Sequence, residues 1–186
     1  MKKTFVIILL FITACGLNVK KDESTIITDN ETKTSDTLKS VDLTSFGFTI
    51  LLPVGWLTNE NTHGLRGVIS NKPVLESNRI KPQIDFGRWA IKELLDVEIN
   101  KDIKAWQNFD SSVKIISSKN ITISGIEGKN YKFKFSTDGK FTAIKDMNYF
   151  IHNNELWYLA FIFNEDEYKG HSPMINEIEK SFKFYK

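Results

Sequence analysis

Tyr131-Lys132-Phe133-Lys134-Phe135, then Asp138-Gly139, then Leu156-Trp157-Tyr158-Leu159-Ala160-Phe161-Ile162-Phe163 decide the fold of this chain. The first stretch alternates rings with lysines, the period-2 pattern of a strand with one wet face. Asp138-Gly139 is a two-residue hairpin signal of the type I′ kind, and Asn153-Asn154 is a second, weaker one. The turns predict registers. Around the first, Phe135 pairs with Thr142 and Phe133 with Ile144. Around the second, Phe150 pairs with Trp157 and Tyr149 with Tyr158. Phe133, Ile144, Phe150, Trp157, Phe161 and Phe163 then share one face, and Met147, Tyr149, Ile151, Tyr158, Ala160 and Ile162 share the other. Leu156 to Phe163 is apolar on both sides, so each side needs a cover.

Working outward, Val113 to Ser124 reads as a long β-branched strand ending at a Ser124-Gly125 turn. Asn100 can cap a helix through Ile103, Ala105, Trp106 and Phe109. Ser172 can cap a last helix, with Pro173 in its first turn and Met174, Ile175, Ile178 and Phe182 as its apolar stripe. Phe46, Phe48, Ile50 and Leu52 alternate along a strand that Pro53 ends, and Gly55-Trp56 follow in a turn. Leu65 to Ser70 and Gln83 to Ile91 are further strands. The expected fold class is α+β: an α/β/α sandwich, an antiparallel sheet flanked by helices.

The N-terminal end is different in kind. Met1-Lys2-Lys3 precedes an apolar run from Phe5 to Ile12, the pattern of a secretory signal. A hydrocarbon core of about 30 Å needs roughly 20 residues, so this run is too short for a permanent span. Ile12-Thr13-Ala14-Cys15 resembles the lipobox of bacterial lipoproteins. That resemblance implies a diacylglyceryl group on the Cys15 sulfur, cleavage before it and acylation of the new amino terminus, palmitate-type chains included. An ordinary secretory signal with a chance cysteine is the competing reading. Cys15 is the only cysteine, so an internal disulfide has no partner.

Residues 16–44 contain no aromatic side chain and are rich in Thr, Ser, Asp, Glu and Lys. Such composition cannot offset its conformational entropy by burial, so this stretch reads as a disordered tether. Its coil reach is roughly 30 Å. Lys20-Lys21-Asp22-Glu23 loosely resembles the acidic signal that sends some Bacteroidetes lipoproteins to the cell surface. The expected organisation is therefore residues 1–14 signal, 15–44 lipidated cysteine and tether, 45–186 globular domain. The expected place is the bacterial envelope, anchored to the outer membrane or cell surface.

The folded part also resembles a family. Phe46-Gly47-Phe48-Thr49-Ile50 followed by Leu52-Pro53-Val54-Gly55-Trp56 is similar to the opening of PsbP-like domains. Trp157-Tyr158-Leu159, Tyr168, Ile178 and the closing Lys180-Ser181-Phe182-Lys183-Phe184 are similar to their end. Leu65 to Asp96 departs from the pattern. The resemblance implies an α/β/α sandwich, usually non-enzymatic, often membrane-tethered and acting through protein contacts.

Charge excludes some partners. The chain has 25 Lys+Arg and 23 Asp+Glu, and removing residues 1–14 deletes Lys2 and Lys3 and no acid. The mature chain is then neutral overall, without the basic footprint of a nucleic-acid binder. His63, His152 and His171 form no close pair and no second cysteine exists, so no metal or other cofactor is expected. Glu165-Asp166-Glu167 lacks the spacing of a calcium loop and reads as a solvated helix entrance. No nucleophile elbow, Walker loop or dinucleotide fingerprint is present. Trp89, beside Arg88, is the candidate partner contact, because Trp and Arg are enriched at binding hot spots. Core burial of Trp89 is the competing reading. The function expected is a non-catalytic envelope module binding another envelope protein. A small apolar ligand carrier is the alternative, and a hydrolase ranks last.

Overall fold

Backbone chirality sets the two tightest turns. Ser124 and Gly125 have φ of 53° and 78°, and Asn153 and Asn154 have φ of 51° and 60°. Both central residues of each turn are left-handed, as a type I′ hairpin requires. The computed structural model describes residues 37–60, 66–70, 82–137 and 141–185. Four long strands form a meander: β6 (Lys114–Ile123), β7 (Ile126–Thr137), β8 (Phe141–His152) and β9 (Glu155–Asn164). β3 (Leu57–Glu60), β4 (Arg66–Ser70) and β5 (Gln83–Ala90) extend it to a seven-stranded sheet in the order β3-β4-β5-β9-β8-β7-β6. β1 (Leu38–Leu43), β2 (Phe48–Pro53) and the short β10 (Lys183–Phe184) form a second, three-stranded sheet. Every pairing in both sheets is antiparallel.

The β8–β9 register is the expected one, with Phe150 opposite Trp157 and Tyr149 opposite Tyr158. The β7–β8 register is not. Thr137 pairs with Phe141, so three residues, 138–140, connect the strands rather than two. Phe135 therefore faces Ala143 and Phe133 faces Lys145. Asp138-Gly139 itself lies outside the described residues. A slip of one residue moves a side chain to the other face, and Phe133 accordingly packs with Met147, Tyr149 and Ala160 instead of with Phe150 and Trp157.

Each face has its cover. One presents Ile84, Phe86, Phe150, Trp157, Phe161 and Phe163. Over it lie α2 (Glu165–Ser181), through Ile175 and Ile178, and the small sheet, through Phe48, Ile50 and Leu52. The rings of Phe48 and Phe182 are 4.6 Å apart and close this core. The other face carries α1 (Leu95–Phe109), whose Ile99 and Ile103 are buried against Phe133, Tyr149 and Leu156. The result is the α/β/α sandwich, with a small sheet sharing one outer layer.

Three expected boundaries move. β1 pairs with β2 from Leu38↔Pro53 to Leu43↔Phe48, so the folded body begins before Ser45 and takes in the end of the expected tether. Leu43 is fully buried there, which compensates for the absence of rings in β1. α1 begins at Leu95, and Asn100 is an interior residue, not its cap. α2 begins at Glu165 after Asn164, so Ser172 is internal and Pro173 sits mid-helix. The acids Glu165, Asp166 and Glu167 occupy the first turn, where the helix dipole favours them. Ser172 Oγ donates back to the carbonyl of Tyr168 one turn earlier.

Candidate functional site

The sheet face under α1 borders a hollow beside the helix. Arg66, Gly87, Tyr158 and Tyr149 stand in register across β4, β5, β9 and β8. In the next row stand Val68, Asp85, Ala160 and Met147. Gly87 and Ala160 lie buried in these rows, and α1 packs against the same face. The hollow is a cleft of about 280 Å³, walled by Asp102, Trp106 and Phe109 of α1 and by Arg66, Trp89, Lys145 and Tyr158 of the sheet.

Rings form its sides. Trp89 is half-buried and its ring lies 5.8 Å from that of Tyr158. Trp106 packs edge-on against Phe133 at 4.9 Å and Phe135 at 5.4 Å. Lys145 Nζ sits 4.7 Å from the centre of the Trp106 ring, within the range of a cation–π contact. Phe109, at the end of α1, is 91% exposed at the mouth.

Charges line the floor and rim. The Tyr149 hydroxyl donates to Asp102 Oδ2 at 2.7 Å, and Gln83 Nε2 donates to Asp85 Oδ1 at 3.1 Å. Burial pulls the Lys145 amine below the usual lysine range, against the opposing pull of Asp85 and Asp102. Burial likewise raises the Asp85 carboxyl, which Lys145 partly offsets. The Tyr158 phenol is pushed up to about 12, first by burial and then by the charge of Asp85.

Of the residues singled out from sequence, Trp89 borders this cleft and Arg88 does not. Alternation along β5 puts Arg88 on the opposite face, where it bonds Glu155 at 2.9 Å and lies 5.2 Å over the Trp157 ring. The two cannot form one contact patch. His152 stacks on Phe184 and His171 on Phe163, far apart in the sequence pairing of the sheet. Glu165 pairs with Lys134 at 2.6 Å, and Glu167 accepts from Asn164 at 2.7 Å. Cys15, Lys20-Lys21-Asp22-Glu23 and His63 lie outside the described residues. Among the described residues, no three His, Cys, Asp or Glu side chains converge as metal ligands, and no helix is long and apolar enough to cross a membrane.

Sequence reading missed Arg66, Asp102, Lys145, Tyr158 and the exposure of Phe109. A signal existed. Lys145-Asp146 puts two charges in the middle of the largely buried β8, and adjacent strand residues face opposite sides, so each charge must be paired or must border a cavity. Asp146 takes the first course. It accepts from Asn130 and from the Tyr168 hydroxyl, with Lys132 at 3.5 Å. Asn130 donates to Asn148 at 2.8 Å, and Asn148 to Glu179 of α2 at 2.6 Å. This closed network ties α2 to the sheet. Lys145 takes the second course and borders the cleft.

No family model and no curated protein matches the chain by sequence. Solved structures match by shape. The cyanobacterial PsbP protein, CyanoP, of Synechocystis sp. PCC 6803 superposes with a TM-score of 0.59 at 12% identity, over 81% of this chain and 94% of that one. LpqN of Mycobacterium tuberculosis, a protein involved in cell envelope biogenesis, superposes with a TM-score of 0.57 at 12% identity, over 81% of this chain and 91% of that one. At this identity the likeness establishes the fold, which is PsbP-like.

Proposed function

We propose that the protein is a lipid-anchored, non-catalytic module of the bacterial envelope that binds another envelope protein through the cleft beside α1. The lipobox-like Ile12-Thr13-Ala14-Cys15 supports the anchor. The shared fold with LpqN supports the setting. One observation carries the contact: Phe109 is 91% exposed beside a cleft walled by Trp89 and Trp106. Large aromatics around a small hollow are the usual make-up of a protein-binding hot spot.

The carrier reading asks for a closed apolar pocket of about 300–1,000 Å³. The cleft holds about 280 Å³ and is lined by Arg66, Asp102 and Lys145 as well as rings. Two larger hollows, of about 590 and 470 Å³, flank the β6–β7 hairpin and are bordered by Asn120, Thr122, Glu127 and Lys180. Neither is apolar. A catalytic reading has one observation in its favour: Lys145 and Tyr158 line the cleft, with Asp85 in the adjoining row, and all three have shifted pKa values. Each shift has burial as its first cause. Among the described residues no base is hydrogen-bonded to Lys145 or Tyr158, as an activated nucleophile requires.

A photo-crosslinking residue placed at Phe109 in living cells tests the proposal, with Val54, 59% exposed and outside the cleft, as the control. A discrete adduct to one envelope protein is expected from position 109 alone. Cys15→Ser should release the protein from the membrane fraction and abolish that adduct. Adducts alike from both positions, or membrane retention of the Cys15→Ser chain, overturn the corresponding half of the proposal.

A further inference from the structure

Three charged groups line the cleft, Arg66, Asp102 and Lys145, with Asp85 in the adjoining row of the sheet, and they are not equally satisfied. Both acids are already engaged, Asp102 by the Tyr149 hydroxyl at 2.7 Å and Asp85 by Gln83 at 3.1 Å. The two cations have no such contact: Arg66 is exposed to solvent, and Asp85 and Asp102 attract Lys145 only at longer range. Among the described residues no carboxylate lies within ion-pair distance of Lys145 or Arg66. Lys145 instead rests its ammonium on the Trp106 ring at 4.7 Å. A charge withdrawn from water without a contacting carboxylate is costly, and burial lowers the Lys145 pKa despite the pull of Asp85 and Asp102. What the cleft lacks is therefore a carboxylate in direct contact with its cations. Its size narrows the choice, since about 280 Å³ suits one protruding side chain better than a whole small molecule. Its sides narrow it again, since Trp89, Trp106 and Phe109 offer ring faces to whatever flanks that side chain.

We infer that the cleft receives an Asp or Glu side chain from an acidic-aromatic segment of the partner protein, its carboxylate paired with Lys145 and Arg66 and its neighbouring ring laid against Trp89 and Trp106. This rests on the reading of the cleft as a protein contact, and it adds the chemistry of what enters. A carboxylate there gives Lys145 the direct ion pair it lacks and forms charge-assisted hydrogen bonds, which are the strong ones.

The probes are two capped tripeptides, acetyl-Phe-Glu-Phe-amide and acetyl-Phe-Gln-Phe-amide. Each is titrated into the 15N-labelled full chain while the indole N–H signals of Trp89 and Trp106 are followed. The Glu peptide should shift both signals and bind roughly tenfold more tightly than the Gln peptide, the scale of one charged hydrogen bond. Lys145→Met should erase the preference. Lys145→Arg should keep it, which separates loss of charge from loss of fold. Added salt should shrink it. Equal binding of the two peptides, a preference that survives Lys145→Met, or no shift with either up to about 10 mM overturns the inference. So does a stronger response of the same indoles to N-acetylglucosamine or to anionic lipid vesicles. Failure here with an intact crosslink at Phe109 removes only the acidic specificity. Peptide discrimination without a crosslink leaves a carboxylate site that is not the partner contact.

Discussion

Gly67→Ala should destabilise the fold by about 2 kcal/mol, through a single ring. In β4, Gly67 faces Phe86 of β5, and the Phe86 ring lies across the glycine. A Cβ at Gly67 would stand 2.1 Å from Phe86 Cζ and 2.6 Å from Cε2. Carbon atoms in contact normally keep about 3.5–4.0 Å, so the ring must move by more than 1 Å. It has nowhere to go. Phe86 is 1% exposed, and the Phe46 and Phe48 rings stand edge-on to it at 4.7 and 5.4 Å. Overpacking of this kind costs about 1–3 kcal/mol, a Cβ at 2.1 Å belongs at the upper end, and the strand preference of Ala over Gly returns roughly 0.5–1, which leaves about 2. For a folded body of this size, each kcal/mol moves Tm by about 2–4 °C, so a drop of roughly 4–8 °C is expected. Urea unfolding of the four chains of a double-mutant cycle is the assay. In a Phe86→Leu background the added methyl should cost almost nothing, which gives a coupling of about 2 kcal/mol. A Gly67→Ala effect below about 0.5 kcal/mol, or one of equal size in both backgrounds, would refute the reasoning.

Two further outcomes follow from named groups. Leu94 precedes α1 in an extended conformation, has no capping side chain and is 78% exposed. Leu94→Ser gives the first turn an acceptor and should raise stability by about 1 kcal/mol in denaturant unfolding, whereas a loss would show that Leu94 packs on something. At alkaline pH the tyrosines oppose ionisation. The Tyr158 pKa rises from 10.0 to about 12, and burial together with Asp102 and Asp146 raises Tyr149 and Tyr168 further. The folded state then holds more protons than the unfolded one above pH 10. Stability is therefore full below pH 10 and falls as pH climbs towards 12. Phenolate absorbance from Tyr149 and Tyr168 should appear only together with loss of circular dichroism. Full absorbance from all five tyrosines of the chain while the fold persists would refute it.

Much of the sheet was legible because its signals are local. Alternation marked β7, and Asn153-Asn154 set the β8–β9 register across a turn of two left-handed residues. The errors arose where a local signal had a rival. Asp138-Gly139 suggested a two-residue loop, while Thr137 and Phe141 close a three-residue one, and Phe133 changed faces in consequence. Asn100 and Ser172 looked like helix caps because their chemistry suits a cap, yet α1 and α2 start after Leu94 and Asn164, where no side chain caps the helix. β1 escaped notice because Leu38, Val41 and Leu43 are too widely spaced to alternate cleanly. The cleft was illegible for a different reason. Its walls come from β4, β5, α1, β8 and β9, elements far apart in the sequence, so no local pattern announces it.

The adjacent pair Lys145-Asp146 shows how one strand serves both stability and binding. Each is a charge in the middle of β8, and each faces a different layer. Under α2, Asp146 is enclosed and hydrogen-bonded by Asn130 and Tyr168, and that network reaches Glu179 through Asn148. Removing one member there leaves its partners buried and unsatisfied, so the network fixes where α2 sits. Under α1 the same strand presents Lys145 to a hollow, with a ring for company and, among the described residues, no carboxylate within ion-pair distance. Selection for stability alone would favour filling that hollow with apolar side chains, which would bury more apolar surface. An unfilled hollow beside a desolvated ammonium and an exposed phenyl ring is a cost to the isolated fold. A partner that supplies both the missing volume and the missing charge removes that cost on binding.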